Sequence, residues 1–166
     1  MVLRFFRTAL PLAFVLVLFS CTSEDAVQNT TIPTTISQNY TYSSDEIELQ
    51  TAIKDYRSSI GLSDLQPVEY AAYKAEEHNE YMIAKNVVNH DYFAERSQDI
   101  IEVLGAIRVN ENVAYNYVSA SSVLDAWLNS PGHKANIEGD FTHIGISIRE
   151  NIQTGKKYYT NIFIKK

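Results

Sequence analysis

The fold turns on Val109-Asn110-Glu111-Asn112-Val113-Ala114-Tyr115-Asn116-Tyr117 and the run behind it, Trp127-Leu128-Asn129-Ser130-Pro131-Gly132-His133-Lys134-Ala135-Asn136-Ile137. Val109, Glu111, Val113, Tyr115 and Tyr117 alternate with Asn110, Asn112, Ala114 and Asn116, a period of two that predicts a strand or an extended segment. Glu111 falls on its apolar side. A carboxylate there is costly without a donor or cation to meet it, unless that end of the strand opens to solvent. Ser119–Ser122 offers caps for a helix carrying Val123, Leu124, Trp127 and Leu128, and Pro131-Gly132 ends it. Pro131 locks its own φ and Gly132 tolerates close approach, so His133 is expected at a rigid corner.

Downstream, Ile144, Ile146 and Ile148 alternate with His143, Gly145, Ser147 and Arg149. After a turn containing Thr154-Gly155 comes Tyr158 to Ile164, which completes an antiparallel hairpin. His143 lies opposite the isoleucine side, as plain surface or as a polar group on the rim of a cleft.

Upstream the pattern is helical. Ser43-Ser44-Asp45-Glu46 has the form of a capping box. Leu49, Ala52, Ile53, Tyr56 and Ile60 follow at helical spacing, and Gly61 stops the helix. Pro67 is expected in the first turn of a second helix, whose stripe is Val68, Ala71, Ala75, His78 and Met82. His78 on that stripe reads as a core histidine bonded to a backbone carbonyl. Asn89 and Asp91 favour a turn around His90, which is either a displayed functional imidazole or an ordinary loop histidine. Ser97 to Leu104 reads as a short helix closed by Gly105. Helices followed by a small antiparallel sheet give the α+β class.

The chain has 166 residues, room for one ordinary domain, and a formal charge of −6. Loss of residues 1–20 would remove Arg4 and Arg7 from 14 basic residues, leaving 12 against 20 acidic ones. That balance excludes nucleic acid as a partner and argues against an electrostatic hold on anionic lipid. The one cysteine, Cys21, excludes a disulfide and a thiolate metal site in the domain, and with them cysteine catalysis. No His-Glu-x-x-His helix and no serine elbow is present.

Residues 1–20 have the form of a signal peptide: two arginines, an apolar run from Ala9 to Phe19 too short to span a bilayer, then Ser20. Leu18-Phe19-Ser20-Cys21 resembles a bacterial lipobox, which implies lipid attachment at Cys21. The acidic flank Thr22-Ser23-Glu24-Asp25 resembles the signal that sends some Gram-negative lipoproteins to the outer face. The expected organisation is a signal peptide over 1–20, a lipidated cysteine with a Ser/Thr-rich flexible tether over 21–44, and a domain over 45–166. The expected location is the bacterial cell envelope, lipid-anchored in the outer membrane.

Five stretches in order are similar to the CAP superfamily (cysteine-rich secretory protein, antigen 5 and pathogenesis-related 1; the SCP domain). They are Ala75–Met82, Asn86–His90, Glu111-Asn112-Val113-Ala114, Trp127–Ile137 with Ser130-Pro131-Gly132-His133-Lys134-Ala135-Asn136-Ile137 inside it, and Phe141–Ile148. The resemblance implies a three-layer α-β-α sandwich with a small central antiparallel sheet flanked by helices. It also implies a cleft of two histidines and two acids able to hold a divalent metal, commonly zinc. His90 matches the first histidine, His133 the second and Glu111 the acid of a Gly-Glu-Asn motif whose glycine is here Asn110. Ser130 stands where animal members carry the other acid, and His143 where bacterial members often have Glu.

Two imidazoles plus water make an open, labile site for zinc or another divalent metal at His90 and His133, with Glu111 behind. The favoured reading is a tethered binding module without catalysis, whose groove takes a small apolar ligand or a protein partner. The alternatives are a metal-assisted hydrolase, peptidase-like or acting on the cell envelope, with Glu111 as base, and an interaction domain with a vestigial cleft.

Overall fold

The computed structural model describes residues 39–166. The signal peptide over 1–20, Cys21 and the tether up to residue 38 lie outside the described residues. Helix α1 (Ser44–Ser59) opens on the expected capping box: Ser43 Oγ accepts from the Glu46 N–H at 3.3 Å, and Glu46 Oε2 accepts from the Ser43 N–H at 2.8 Å. Glu46 is fully buried. Its Oε1 also accepts from the Tyr40 hydroxyl at 2.7 Å, the Ile148 N–H at 2.8 Å and Arg149 Nη1 at 2.9 Å. Tyr40, ahead of the helix, is buried as well.

Strand β1 (Gln66–Pro67) follows, then α2 (Glu69–Lys85), α3 (Phe93–Leu104), β2 (Arg108–Tyr115), α4 (Ala120–Leu128), α5 (Pro131–Ile137), β3 (His143–Asn151) and β4 (Lys156–Lys165). The sheet order is β1-β3-β4-β2. The β3–β4 hairpin and the β2–β4 pair are antiparallel as the alternation predicts. The sheet as a whole is mixed, because β1 pairs parallel to β3 through Gln66 with His143 and Pro67 with Ile144. Pro67 therefore corrects an expectation. It sits in an edge strand, where a missing N–H is tolerated, and Val68 is the N-cap of α2.

One face of the sheet packs Ile146 and Phe163 against Leu49 and Ile53 of α1, Trp127 of α4 and Ile137 of α5. The other packs Val109, Ile162 and Ile164 against Ala71 and Ala75 of α2 and Ile100 of α3. This is the expected three-layer α+β sandwich. Helix α2 lies so close to β3 that a Cβ on Gly145 would stand 2.4 Å from the Ala71 carbonyl carbon.

Two devices place the elements that carry the site. Arg57 of α1, buried, donates from Nη1 to the carbonyls of Ile137 at 2.6 Å and Gly139 at 3.0 Å, capping the C-terminal end of α5. Asn112 of β2 donates from Nδ2 to the His133 carbonyl at 3.1 Å, while Asn136 Nδ2 donates to Asn112 Oδ1 at 2.7 Å and to the Glu111 carbonyl at 3.3 Å. These amides tie α5 to the sheet edge formed by β2.

Candidate functional site: a buried carboxylate between histidines and an arginine

Strand β2 is an edge strand, but helices cover both its faces, and Glu111 is 7% exposed. A carboxylate at that depth needs partners. Arg96 of α3 is the main one. Its Nε donates to Glu111 Oε2 at 2.8 Å and its Nη2 to Oε1 at 2.9 Å, a two-pronged ion pair with both residues buried. Arg96 Nη1 also donates to the carbonyls of Asp91 at 3.2 Å and Tyr92 at 3.4 Å, which holds the loop carrying His90.

His90 lies on that loop with an exposed side chain. Its Nδ1 stands 2.8 Å from Glu111 Oε1. In the neutral ring Nδ1–H donates to the carboxylate, which leaves a free lone pair on Nε2. A carboxylate behind an imidazole in this way orients a metal-binding ring and raises its basicity.

His78 stands behind them, 2% exposed, as the core histidine the sequence predicts. Its Nε2 donates to the Asn89 carbonyl at 2.9 Å and lies 3.8 Å from Glu111 Oε1. Burial lowers its pKa, against the opposing pull of Glu111.

Pro131 and Gly132 do not end α4, which closes at Leu128; they open α5, and His133 lies inside that helix rather than at a free corner. Ser130 is the N-cap of α5, and its side chain makes no cap hydrogen bond. Burial lowers the His133 pKa, and the nearby His90 ring lowers it further. His133 and Ser130 also line a groove of about 280 Å³ walled by Val113, Tyr115, Tyr117 and Trp127. Trp127 is pinned there by its Nε1, which donates to the Val113 carbonyl at 3.0 Å.

His143 takes no part in this group. It opens β3, pairs across β4 with Ile164, and lies two strands away from β2; its Nδ1 contacts Thr142 Oγ1 at 2.8 Å. The structure brings together His90, Glu111, Arg96 and His78, and places His133 on α5, where its backbone carbonyl is held by Asn112, the neighbour of Glu111. Arg96 escaped the sequence reading. The available signal was its place on the Phe93, Arg96, Ile100, Leu104 stripe, where a lone cation answers a lone buried carboxylate.

The donors the resemblance implies for a metal are the imidazoles of His90 and His133. Glu111 is committed to Arg96 and His90, and among the described residues no group of three or more His, Cys, Asp or Glu side chains is placed to hold a metal ion. The described residues therefore do not supply the three protein ligands of a usual catalytic zinc centre.

Comparison with known proteins agrees with this architecture. Residues 50–163 match the model of the cysteine-rich secretory protein family, CAP. The chain is 31% identical over 134 residues to the Bacillus subtilis protein YkwD, covering 78% of this chain and 50% of YkwD. It is 43% identical over 60 residues to the Bacillus subtilis membrane protein YlbC, covering 36% of this chain and 16% of YlbC. The chain thus spans half or less of the length of these relatives. Among solved structures, an extracellular SCP-domain protein of Bacillus anthracis superimposes with a TM-score of 0.63 at 26% identity, covering 72% of this chain and 40% of that one. An outer surface protein of Borrelia burgdorferi shares the fold, with a TM-score of 0.64 at 20% identity over 74% of this chain and 92% of that one. No helix among the described residues is long and apolar enough to cross a membrane. With a family match over most of its described length, the chain belongs to the cysteine-rich secretory protein (CAP) family.

Proposed function

We propose that this is an envelope-tethered, non-catalytic binding module in which a metal-capable histidine pair sits at the mouth of an aromatic groove. The observation that carries the reading is the place of His133 in the wall of the aromatic groove, on the helix that Asn112 ties to the strand of Glu111. His90 through Nε2 and His133 would hold a divalent metal such as zinc, and the metal would supply a labile positive charge at the groove mouth. Tyr115, Tyr117 and Trp127 offer apolar walls with polar tips, suited to a small apolar ligand or to an apolar side chain of a protein partner.

Arg96 argues against a hydrolase that uses Glu111 as base. Both carboxylate oxygens are already met by guanidinium donors, and His90 claims one of them as well. Tethering through lipid on Cys21, in the outer membrane, belongs to the same proposal. It rests on the lipobox-like sequence, with support from relatives described as outer-surface, extracellular and membrane proteins.

The test is metal analysis of the purified chain after zinc loading at pH 7.5 and desalting, with Trp127 fluorescence as the groove readout. The expected result is zinc that is lost in a variant carrying both His90→Ala and His133→Ala, and a zinc-dependent change in Trp127 emission. Zinc retained by the double variant, or none bound by the wild type, overturns the metal reading. Glu111→Gln should leave binding of an apolar dye in the groove intact; peptide or cell-wall hydrolysis abolished by that substitution would overturn the non-catalytic reading.

A further inference from the structure

A cavity of about 230 Å³ opens between α2 and α3, with His78 and Arg96 in its wall; it shares no lining residue with the aromatic groove. His78 is committed at Nε2, which donates to the Asn89 carbonyl. Its Nδ1 therefore carries a bare lone pair, and that atom is buried without a hydrogen-bond partner. A buried acceptor left unmet costs free energy that an entering N–H donor would recover.

The rim of the cavity is acidic. Arg96 is matched by Glu111, and Lys74 is held between Glu77 at 3.0 Å and Asp99 at 2.9 Å. Glu95, in the same wall, has no ion-pair partner among the described residues. Two tyrosines complete the lining. Tyr81 stacks on His78 with ring centroids 6.0 Å apart and meets Tyr92 edge-on at 5.3 Å. Tyr92 is held at φ 58°, a left-handed backbone that is strained for a bulky residue, and its ring is largely exposed.

We infer that this cavity binds a primary ammonium group on a short aliphatic chain, either a free alkylamine or a lysine side chain. An ammonium carries three donors on one nitrogen, so it can meet His78 Nδ1 and carboxylates of the rim together. A guanidinium fork prefers a single coplanar carboxylate, and Glu111, the one buried in this region, is already taken. The aliphatic stem would lie along Tyr81 and Tyr92, whose ring faces also attract the cation. The inference does not depend on metal at His90 and His133.

The experiment titrates n-butylammonium and Nα-acetyl-lysine N-methylamide into the full chain labelled with ¹⁵N-histidine at pH 7.5. A saturable movement of the His78 Nδ1 resonance, as its lone pair accepts a hydrogen bond, is expected with both, while His143 stays still. Glu95 is exposed, so Glu95→Gln leaves the fold intact and should weaken both ligands by about threefold. Nε-acetylated lysine amide should not bind. Tighter binding of the lysine derivative identifies a protein segment as the source and equal binding a free amine; either supports the site. No saturable His78 shift, equal binding of the acetylated compound, or an affinity unchanged by Glu95→Gln overturns it.

Discussion

Arg96 decides how Glu111 behaves. Removing one member of a buried ion pair leaves the other charge without compensation, which costs about 3–5 kcal/mol. Arg96→Met should lower stability by that amount in urea unfolding, because Glu111 loses both prongs and the Asp91 and Tyr92 carbonyls lose a donor. Arg96→Met combined with Glu111→Met should lose much less, since two well-packed apolar groups leave no stranded charge. A double variant as unstable as the single one would show that the arginine acts through the loop and not through the carboxylate. The histidines and the acid of the cleft were legible in the sequence because each stood out locally: His90 beside turn residues, His133 at a Pro-Gly corner, Glu111 on an apolar alternation. Arg96 was not, because one cation just ahead of Ser97 looks like any solvated helix end until the strand carrying Glu111 is laid beside it.

At the scale of elements, the contact between α2 and β3 depends on one missing side chain. A Cβ on Gly145 would overlap Ala71 backbone, which cannot rotate away. Gly145→Ala should destabilise the protein by about 1–3 kcal/mol through overpacking. Gly132 in α5 has nothing within 4 Å of the corresponding position. Gly132→Ala should therefore be neutral or stabilise by up to about 1 kcal/mol through reduced chain entropy. Thermal or urea unfolding of both variants checks the contrast. Long elements were readable from periodicity and caps, as with the box at Ser43 and Glu46 or the stop at Gly105. β1 was not, since two residues carry no period. Its pairing exists only because β3 offers an edge, and that tertiary fact also moved Pro67 out of the helix it was expected to open.

For the whole molecule, three histidines share one consequence. Burial lowers the pKa of His78, His133 and His143, with Glu111 opposing at His78 and His90 and Lys166 adding to the effect at the other two. In the unfolded chain each titrates near the ordinary value of about 6.5. As pH falls through that value the unfolded state takes up protons before the folded state does, so stability must fall with it until the depressed folded values are reached. Urea unfolding at pH 7.5 and 5.5 should show the loss, and His78→Gln should make it smaller; a flat profile would mean these rings are not held neutral. The bond set around Glu46 has a consequence of a mechanical kind. Tyr40, the Ile148 N–H and Arg149 all converge on one oxygen of Glu46, in the first turn of α1. A pull applied to the chain at Tyr40 would load the Tyr40–Glu46 clasp and pass from there both into α1 and into β3, the strand hydrogen-bonded along its length to β4. Tension arriving at that clasp would be shared between the first turn of α1 and the hairpin, so the helix would not have to bear it alone.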